Sequence, residues 1–244
     1  MTLRVFVKAL APGELTLEKD AAHYLARVHR ARVGDAFVAF DPTERLEAEG
    51  EILEIEREAV TVRLGRAAPA RAVPPFDVTL IQCAGKGDKV DDVVRAATAL
   101  GVGRIVVAES ERTIARSDAA RVARRSERWQ TIALDAARQS GRGDLPTIDG
   151  PEPLENVLAS FRDRPGTKLC LDPSAPLSFR RALAGAPFVL LVGPEGGFTH
   201  EELMLATGSG FATTRLGPFV LRTELAGPAA LAALFALESS GAGQ

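Results

Sequence analysis

The sequence has few cysteines and no long hydrophobic run. Cys83 and Cys170 are the two cysteines among 244 residues, and each lies within a short apolar stretch. Isolated cysteines in apolar surroundings predict buried, reduced thiols rather than a disulfide or a metal-binding pair. No apolar run approaches the roughly 20 residues that cross a bilayer, and the N-terminus lacks the pattern of a signal peptide. We therefore expect a cytoplasmic protein.

The sequence motifs of several common enzyme classes are also missing. There is no Gly-x-x-x-x-Gly-Lys-[Ser/Thr], Gly-x-Gly-x-x-Gly, Gly-x-Ser-x-Gly, His-Glu-x-x-His or Cys-x-x-Cys segment. These absences count against kinases, hydrolases and metalloproteases. His23, His29 and His200 are not spaced as ligands of one metal ion. We expect no bound metal.

The charge is nearly balanced but unevenly distributed. The formal net charge of −2 does not by itself indicate a nucleic-acid-binding protein. Residues 104–142 nevertheless contain nine arginines against five acidic residues, and residues 1–34 contain six basic residues against three acidic ones. Such basic faces are compatible with phosphate contacts. From charge alone, solvated helix faces are the more economical explanation.

The first part of the chain is rich in predicted strands. These are Leu3–Val7, Ala36–Phe40, Glu49–Ile55 and Ala59–Leu64, with one helix predicted over Glu18–Arg30. Residues 67–75, rich in alanine and proline, break this pattern and are typical of a linker.

Strands alternate with helices from Phe76 onward. The predicted strands are Asp77–Cys83, Arg104–Ala108, Lys168–Asp172, Phe188–Val192 and Thr213–Leu216. The predicted helices are Lys89–Leu100, Asp118–Gln139, one that begins after a capping box at Thr199 and Glu202, and Pro228–Leu237. This alternation predicts a mostly parallel sheet with helices on both faces. The chain is thus expected to be α/β, with domains at 1–70 and 76–244.

Two glycine-rich segments near the C-terminus are the best candidates for a binding site. They are Leu191–Leu203, which contains Gly193, Gly196 and Gly197, and Leu216–Glu224, which contains Gly217. Both follow predicted strands, and open α/β sheets bind ligands at strand ends. Glycines there allow close backbone approach and positive φ. An ordinary tight turn explains the first segment about as well.

Arg222 and Glu224 are the reactive side chains on the second glycine segment. A guanidinium and a carboxylate beside a ligand suit charge stabilisation and proton transfer. The alternative is that they only pair or cap at the entry to a helix.

Taken together, these segments resemble the signature of the RsmE family, bacterial 16S rRNA uridine-N3 methyltransferases of the SPOUT (α/β-knot) superfamily. Further segments agree with this family along almost the whole chain. They are His23–Asp35, Phe40–Asp41, Lys86–Val90, Ala97–Gly101, Ser110–Thr113, Arg128–Ala133 and Ala136–Arg142.

The resemblance implies a PUA-like β-barrel that helps bind RNA, followed by a SPOUT domain with a C-terminal trefoil knot. It also implies S-adenosyl-L-methionine as methyl donor, 16S rRNA in the small ribosomal subunit as substrate, and a homodimer. The implied donor contacts are Leu171, Gly193, Pro194, Glu195, Gly196, Gly197, Leu216, Gly217, Leu221, Arg222 and Thr223. Arg222 and Glu224 are the implied catalytic residues. The expected RNA-binding residues are Arg27, Arg30, Arg32, Arg112, Arg121 and Arg125.

The chain departs from the family pattern at two positions. Leu225 replaces a threonine after Arg222-Thr-Glu, and Ala99 replaces a common glutamate. Two alternatives stay open: a SPOUT methyltransferase for another RNA, such as a tRNA or 23S rRNA, and a catalytically silent RNA-binding protein with the same fold.

Overall fold

The computed structural model describes residues 3–85, 88–112 and 119–241. The chain divides into two compact units. The first unit contains Met1–Val73 together with Leu134–Leu145, and the second contains Pro74–Ala133 and Pro146–Gln244. The predicted boundaries, 1–70 and 76–244, include no such second segment in the first domain, and they stay a prediction.

The first unit is built on a mainly antiparallel sheet. Its strands are β1 (Arg4–Phe6), β2 (Gly13–Glu18), β3 (Ala36–Asp41), β4 (Leu46–Ile55), β5 (Ala59–Leu64) and β6 (Ala68–Pro69). Their order is β1-β3-β4-β5-β2, with β6 paired to β4. The pair β1–β3 is parallel. The helix α1 (Lys19–His23) continues as a π-helix over Tyr24–Val28.

Alternating side chains give the first unit its core. In β5, Val60, Val62 and Leu64 are buried, as the period-2 pattern of the sequence predicts. Gly50 in β4 is required by packing, because an added Cβ would lie 2.6 Å from the Phe37 ring. Strand β2 was not predicted.

The second unit contains a six-stranded parallel sheet. Its strands are β7 (Val78–Cys83), β8 (Arg104–Glu109), β9 (Thr147–Pro153), β10 (Thr167–Leu171), β11 (Phe188–Val192) and β12 (Ala212–Thr214). The order is β12-β10-β11-β7-β8-β9, and every neighbouring pair is parallel. Its helices are α2 (Lys89–Ala99), α4 (Leu154–Phe161), α5 (Phe179–Ala182), α6 (His200–Gly208) and α7 (Thr223–Gly241). Helix α3 (Ala119–Ser140) belongs to the second unit up to Ala133 and to the first unit from Leu134. The predicted α/β class with a parallel sheet is confirmed.

The last helix begins earlier than the sequence predicted. It starts at Thr223, so Pro228 lies inside α7 and the predicted start at Pro228 is wrong. The Arg222 carbonyl accepts from the amides of Leu225 and Ala226, which closes the first turn before the proline is reached. Proline lacks an amide proton and removes a bond inside the helix, but packing of the buried Leu231 and Leu234 holds the helix together. Strand β9 and helices α4 and α5 were not predicted.

Helix α2 is anchored by its acidic start. Asp91 is buried and accepts a hydrogen bond of 3.0 Å from the indole of Trp129 on α3. The guanidinium of Arg128 also pairs with Asp91. This carboxylate therefore joins two helices of the second unit, in addition to its favourable position at a helix N-terminus.

Candidate functional site

A cavity of about 580 Å³ lies at the carboxyl ends of the central strands of the second unit. Leu171 ends β10, Val192 ends β11, and residues 216–223 connect β12 to α7. Parallel α/β sheets bind ligands at this edge because loops and helix starts converge there. The cavity is lined by Lys89, Leu171–Ser174, Val192–Glu195, Gly197, Phe198, Leu203, Leu216, Gly217, Phe219–Thr223 and Ala226.

The first glycine segment, residues 193–198, forms one wall of this cavity. An added Cβ at Gly193 would lie 3.0 Å from the Phe198 ring, so the ring would have to shift by a few tenths of an ångström to admit it. Gly197 has a φ of 68° and closes a turn on the Pro194 carbonyl. The expectation of positive φ is wrong for Gly193, Gly196 and Gly217, because Gly197 alone among these four lies in the left-handed region.

A capping box fixes the residues that follow this segment. Thr199 Oγ1 accepts from the Glu202 amide at 3.2 Å, and Glu202 Oε2 accepts from the Thr199 amide at 2.8 Å. This confirms the predicted start of α6. The other oxygen of Glu202 accepts from the Glu111 amide at 2.8 Å, and the neighbouring Arg112 donates to the Gly196 carbonyl. The loop after β8 thus supports the first glycine segment.

Residues 216–223 of the second glycine segment contribute another wall. Nothing lies within 4 Å of a Cβ added at Gly217. Phe219 and Val220 are each 80% exposed. Among the described residues, none makes a hydrogen bond or ion pair with the Arg222 guanidinium, which also lines the cavity. This leaves its donors available to a ligand.

A buried hydrogen-bonded chain joins the two glycine segments. Gln82 at the end of β7 donates to Thr223 Oγ1 at 2.9 Å. Thr223 Oγ1 in turn donates to the Gly193 carbonyl at 2.6 Å. The Thr223 hydroxyl thus bridges the Gln82 side-chain amide and the Gly193 carbonyl, and this bridge fixes the distance between the two glycine segments.

Lys89 forms a charged cluster with two glutamates beside the cavity. Lys89 and Glu195 line the cavity, and the predicted catalytic residue Glu224 does not. Its ammonium lies 3.0 Å from Glu195 Oε1 and 3.4 Å from Glu224 Oε2. The hydrogen bond that Lys89 donates to Glu195 is the main cause that raises the pKa of Lys89, so the ammonium stays charged at neutral pH. Glu224 therefore pairs with Lys89 and not with Arg222. Sequence reasoning missed Lys89 as a site residue, although it lies in the family-like segment Lys86–Val90.

The predicted donor contacts converge on one place. All of them line the cavity except Gly196, whose carbonyl accepts from Arg112. Asp172, Ser174 and Phe198 also line the cavity and were not predicted. Asp172 accepts from the Ser174 amide and hydroxyl at 2.8 and 2.7 Å, which shapes the turn after β10. Asp172 and Ser174 could have been predicted, because aspartate and serine at the end of a predicted strand are typical of a turn.

The predicted RNA-binding arginines lie in both units. In the first unit Arg27, Arg30 and Arg32 are exposed. Arg27 lines an open groove of about 710 Å³ whose other charged or titratable residues are Lys19, His23, Glu56, Arg57 and Glu58. In the second unit Arg112 and Arg125 are exposed. The side chain of Arg121 lies outside the described residues. That these residues bind RNA stays a prediction.

The two cysteines have the predicted character. Both are buried, and neither forms a disulfide. Burial raises the pKa of Cys170 to about 12 and raises the pKa of Cys83 well above its ordinary value. The described ranges contain no cluster of three potential metal ligands. Nor does any helix within them have the length and apolar character to span a bilayer.

Comparisons with known proteins agree with this architecture. The RNA methyltransferase domain family matches residues 73–235, and the RNA methyltransferase PUA domain matches residues 17–65. The chain thus has the domains of an RNA methyltransferase.

Two relatives show which RNA methyltransferase family the chain belongs to. Ribosomal RNA small subunit methyltransferase E from Mycobacterium bovis is 31% identical over 91% of this chain and 86% of its own length. The Bacillus subtilis protein of that name is 25% identical over 88% of this chain and 87% of its own. The chain belongs to the ribosomal RNA small subunit methyltransferase E family.

Two solved structures resemble the whole chain. A methyltransferase of Legionella pneumophila in complex with its cofactor SAM superposes with a TM-score of 0.89 at 30% identity, covering 97% of this chain and 98% of that one. Ribosomal RNA small subunit methyltransferase E from Neisseria gonorrhoeae, bound to S-adenosyl methionine, gives a TM-score of 0.86 at 29% identity with the same coverage.

Proposed function

We propose that the protein transfers a methyl group from S-adenosyl-L-methionine to N3 of a uridine in 16S rRNA, with the assembled 30S subunit as substrate. The observation that carries this proposal is the cavity between two glycine segments at the carboxyl ends of β10 and β11. Structural relatives that are similar over nearly the full chain are bound to this donor.

The cavity suits such a donor in size and lining. Its volume of about 580 Å³ lies within the range typical of small-molecule sites. Leu171, Leu216 and Leu221 supply apolar surface for an adenine ring, and the backbone of residues 193–197 supplies polar groups. When bound, the donor supplies an electrophilic methyl group on a sulfonium.

The side chains at the rim suit chemistry on a uracil. Uridine N3 carries a proton at neutral pH, so it becomes a good nucleophile only when that proton is shared or removed. The Arg222 guanidinium is available to stabilise negative charge that develops on the uracil oxygens. The carboxylate of Glu224, which lies 3.4 Å from the Lys89 ammonium, is proposed to accept or orient the N3 proton. The remaining contribution is alignment of the two reactants.

The first unit is proposed to grip the RNA. Its match to an RNA methyltransferase PUA domain and its exposed arginines support this role. We propose that its sheet closes into a PUA-like barrel and that the chain around the cavity forms a trefoil knot. Arg27, Arg30 and Arg32, with Arg112, Arg121 and Arg125, are proposed to contact phosphates, as arginine forks suit that geometry.

We further propose a homodimer in the cytoplasm. Helix α7 buries one side, with Ala230, Leu231 and Leu234, against its own unit. The opposite side is also apolar and exposes Leu225, which is 53% exposed, and Ala232. A second copy that covers this side accounts for a helix that is apolar all round.

The experiment that tests the function is transfer of labelled methyl groups from S-adenosylmethionine to 30S subunits, followed by digestion and nucleoside analysis. We expect 3-methyluridine from 16S rRNA, and little product with Arg222→Ala although most RNA affinity remains. Label that appears only in tRNA or 23S rRNA supports the other SPOUT activity. A protein that fails to bind the donor in calorimetry is the catalytically silent alternative.

A further inference from the structure

We propose that Lys89 is a positioning residue of the methyl transfer, which holds the Glu224 carboxylate beside the cavity. The proposal rests on the proposed function and adds a residue to its site. The ammonium of Lys89 touches two carboxylates that are distant in the sequence, Glu195 on the first glycine segment and Glu224 on α7. One side chain from the start of α2 therefore ties the cavity wall to the helix that carries the proposed catalytic carboxylate.

Lys89 supplies the counter-charge of Glu224. Within the described part of the chain, Lys89 is the single cation at ion-pair distance from Glu224. Oxygen Oε2 of Glu224 is buried and has no partner of hydrogen-bonding geometry. A shielded carboxylate without a counter-charge is costly, so it turns toward water when its cation is removed. That movement takes the carboxylate away from its fixed place beside the cavity.

The cluster is charged and partly shielded. The side chains of Lys89, Glu195 and Glu224 are 32%, 34% and 21% exposed. An ammonium has three donors and can serve both carboxylates at once. Hydrogen bonding to Glu195 also raises the pKa of Lys89, which keeps the ammonium charged over the working pH range. Lys89 lines the cavity, but its role in this proposal is exerted through Glu224.

The first test compares Lys89→Met and Lys89→Arg with the wild type. We expect Lys89→Met to lower kcat on 30S subunits by about tenfold or more, with a smaller change in KM for the subunit. Lys89→Arg retains the positive charge and should restore most of the turnover. The matched control is Arg95→Met, which removes a cation from the exposed side of the same helix, where it pairs with Asp92. Lys89→Met with wild-type kcat, or no rescue by Lys89→Arg, overturns the proposal.

A double variant shows whether Lys89 acts through Glu224. If it does, Lys89→Met combined with Glu224→Gln turns over as slowly as Glu224→Gln alone, because the positioned group is already absent. If the fold reduction in kcat of the double variant equals the product of the two single-variant reductions, the proposal is overturned. Melting temperatures of all variants establish that each is folded at the assay temperature.

A structural measurement separates this inference from the identity of the RNA. Crystal structures of wild type and Lys89→Met, each with S-adenosylmethionine, show where the Glu224 carboxylate lies. We expect it beside Lys89 in the wild type and displaced in the variant. An unchanged carboxylate in Lys89→Met overturns the positioning role, whatever RNA is methylated. Absence of methyl transfer to 30S subunits by the wild type, with the expected displacement seen, overturns the proposed function and leaves the positioning role supported.

Discussion

The hydroxyl of Thr223 donates a 2.6 Å hydrogen bond to the carbonyl of Gly193 and so connects the two glycine segments. Thr223 is buried, with 7% exposure, and its hydroxyl also accepts from Gln82. The contact spans 30 residues of sequence and crosses from the loop after β11 to the start of α7. The width of the cavity therefore depends on a side chain at a helix start.

Replacing this threonine tests the connection. Thr223→Val keeps the shape but leaves the Gly193 carbonyl without its donor. The Gln82 amide loses one of its two acceptors and keeps the Cys83 carbonyl. We expect a cost of about 1–3 kcal/mol in the free energy of unfolding. We expect a lower melting temperature and donor affinity weakened about tenfold, a change worth ~1.4 kcal/mol. Calorimetry with S-adenosylmethionine measures this. Thr131→Val, whose hydroxyl donates to Glu127 on an exposed helix surface, is the control and should bind normally.

Gly193→Ala is expected to distort the first glycine segment. Its Cβ would lie 3.0–3.2 Å from the Phe198 ring, and Phe198 packs against the core of the second unit. Overpacking of this kind costs about 1–3 kcal/mol in stability, and donor binding should weaken as well. Gly208→Ala is the matched change, because nothing lies within 4 Å of its Cβ. Thermal unfolding that ranks the two variants equally contradicts this account.

Leu225→Arg is expected to weaken the proposed dimer. The substitution places a charge on the exposed apolar side of α7, and charges are depleted from the centres of interfaces. Light scattering should show a shift toward monomer at micromolar concentration. Met204→Arg, at a residue of 61% exposure on α6, controls for the added charge. A wild-type protein that is already monomeric removes the dimer from consideration.

Neutralising the groove in the first unit should weaken RNA binding. Arg27→Gln and Arg57→Gln each remove a positive charge from the groove that also contains Lys19 and His23. Affinity for 30S subunits should fall, and the slope of log affinity against log salt should decrease by roughly one counterion for each arginine that no longer binds a phosphate. Donor affinity should stay unchanged. Arg63→Gln, which removes an exposed arginine paired with Glu14, is the control in the same unit. If all variants bind 30S subunits equally across a salt titration, these arginines are solvent-exposed charges that do not contact RNA.

The buried thiols predict how stability changes in alkali. The pKa of Cys170 is raised by burial from 9.0 to about 12, so the folded chain retains a proton that the unfolded chain releases above its ordinary pKa. The contribution of this thiol is therefore fully present below pH 9 and declines between pH 9 and 12. The decline is about 1.4 kcal/mol per pH unit. Cys170→Ala should unfold with a shallower dependence on pH in this window, as measured by urea denaturation. Parallel curves for the two proteins contradict the prediction.

Local sequence patterns predicted most strands. They also predicted the helix starts that are indicated by residues close together in the sequence. Strand β11 has the predicted bounds, Phe188–Val192, because five consecutive apolar residues are typical of a strand buried on both faces. The capping box was predictable because Thr199 and Glu202 are three residues apart. The start of α7 at Thr223 was not predictable, because Pro228 locally indicates the first turn of a helix. Only tertiary packing allows the helix to begin earlier and contain this proline. Strand β9, with Gly150 and Pro151 inside it, was missed for the same kind of reason.

The sequence by itself determined the α/β class, the family resemblance and the two glycine segments that line the cavity. Those features depend on residue types and on spacings of a few residues. The tertiary structure alone decided how the side chains at that site pair. Lys89, Glu195 and Glu224 are far apart in the sequence, and only the parallel sheet brings their loops to the same edge. The partner of a charged group is set by distance in space, and distance in space depends on the packing of the whole unit.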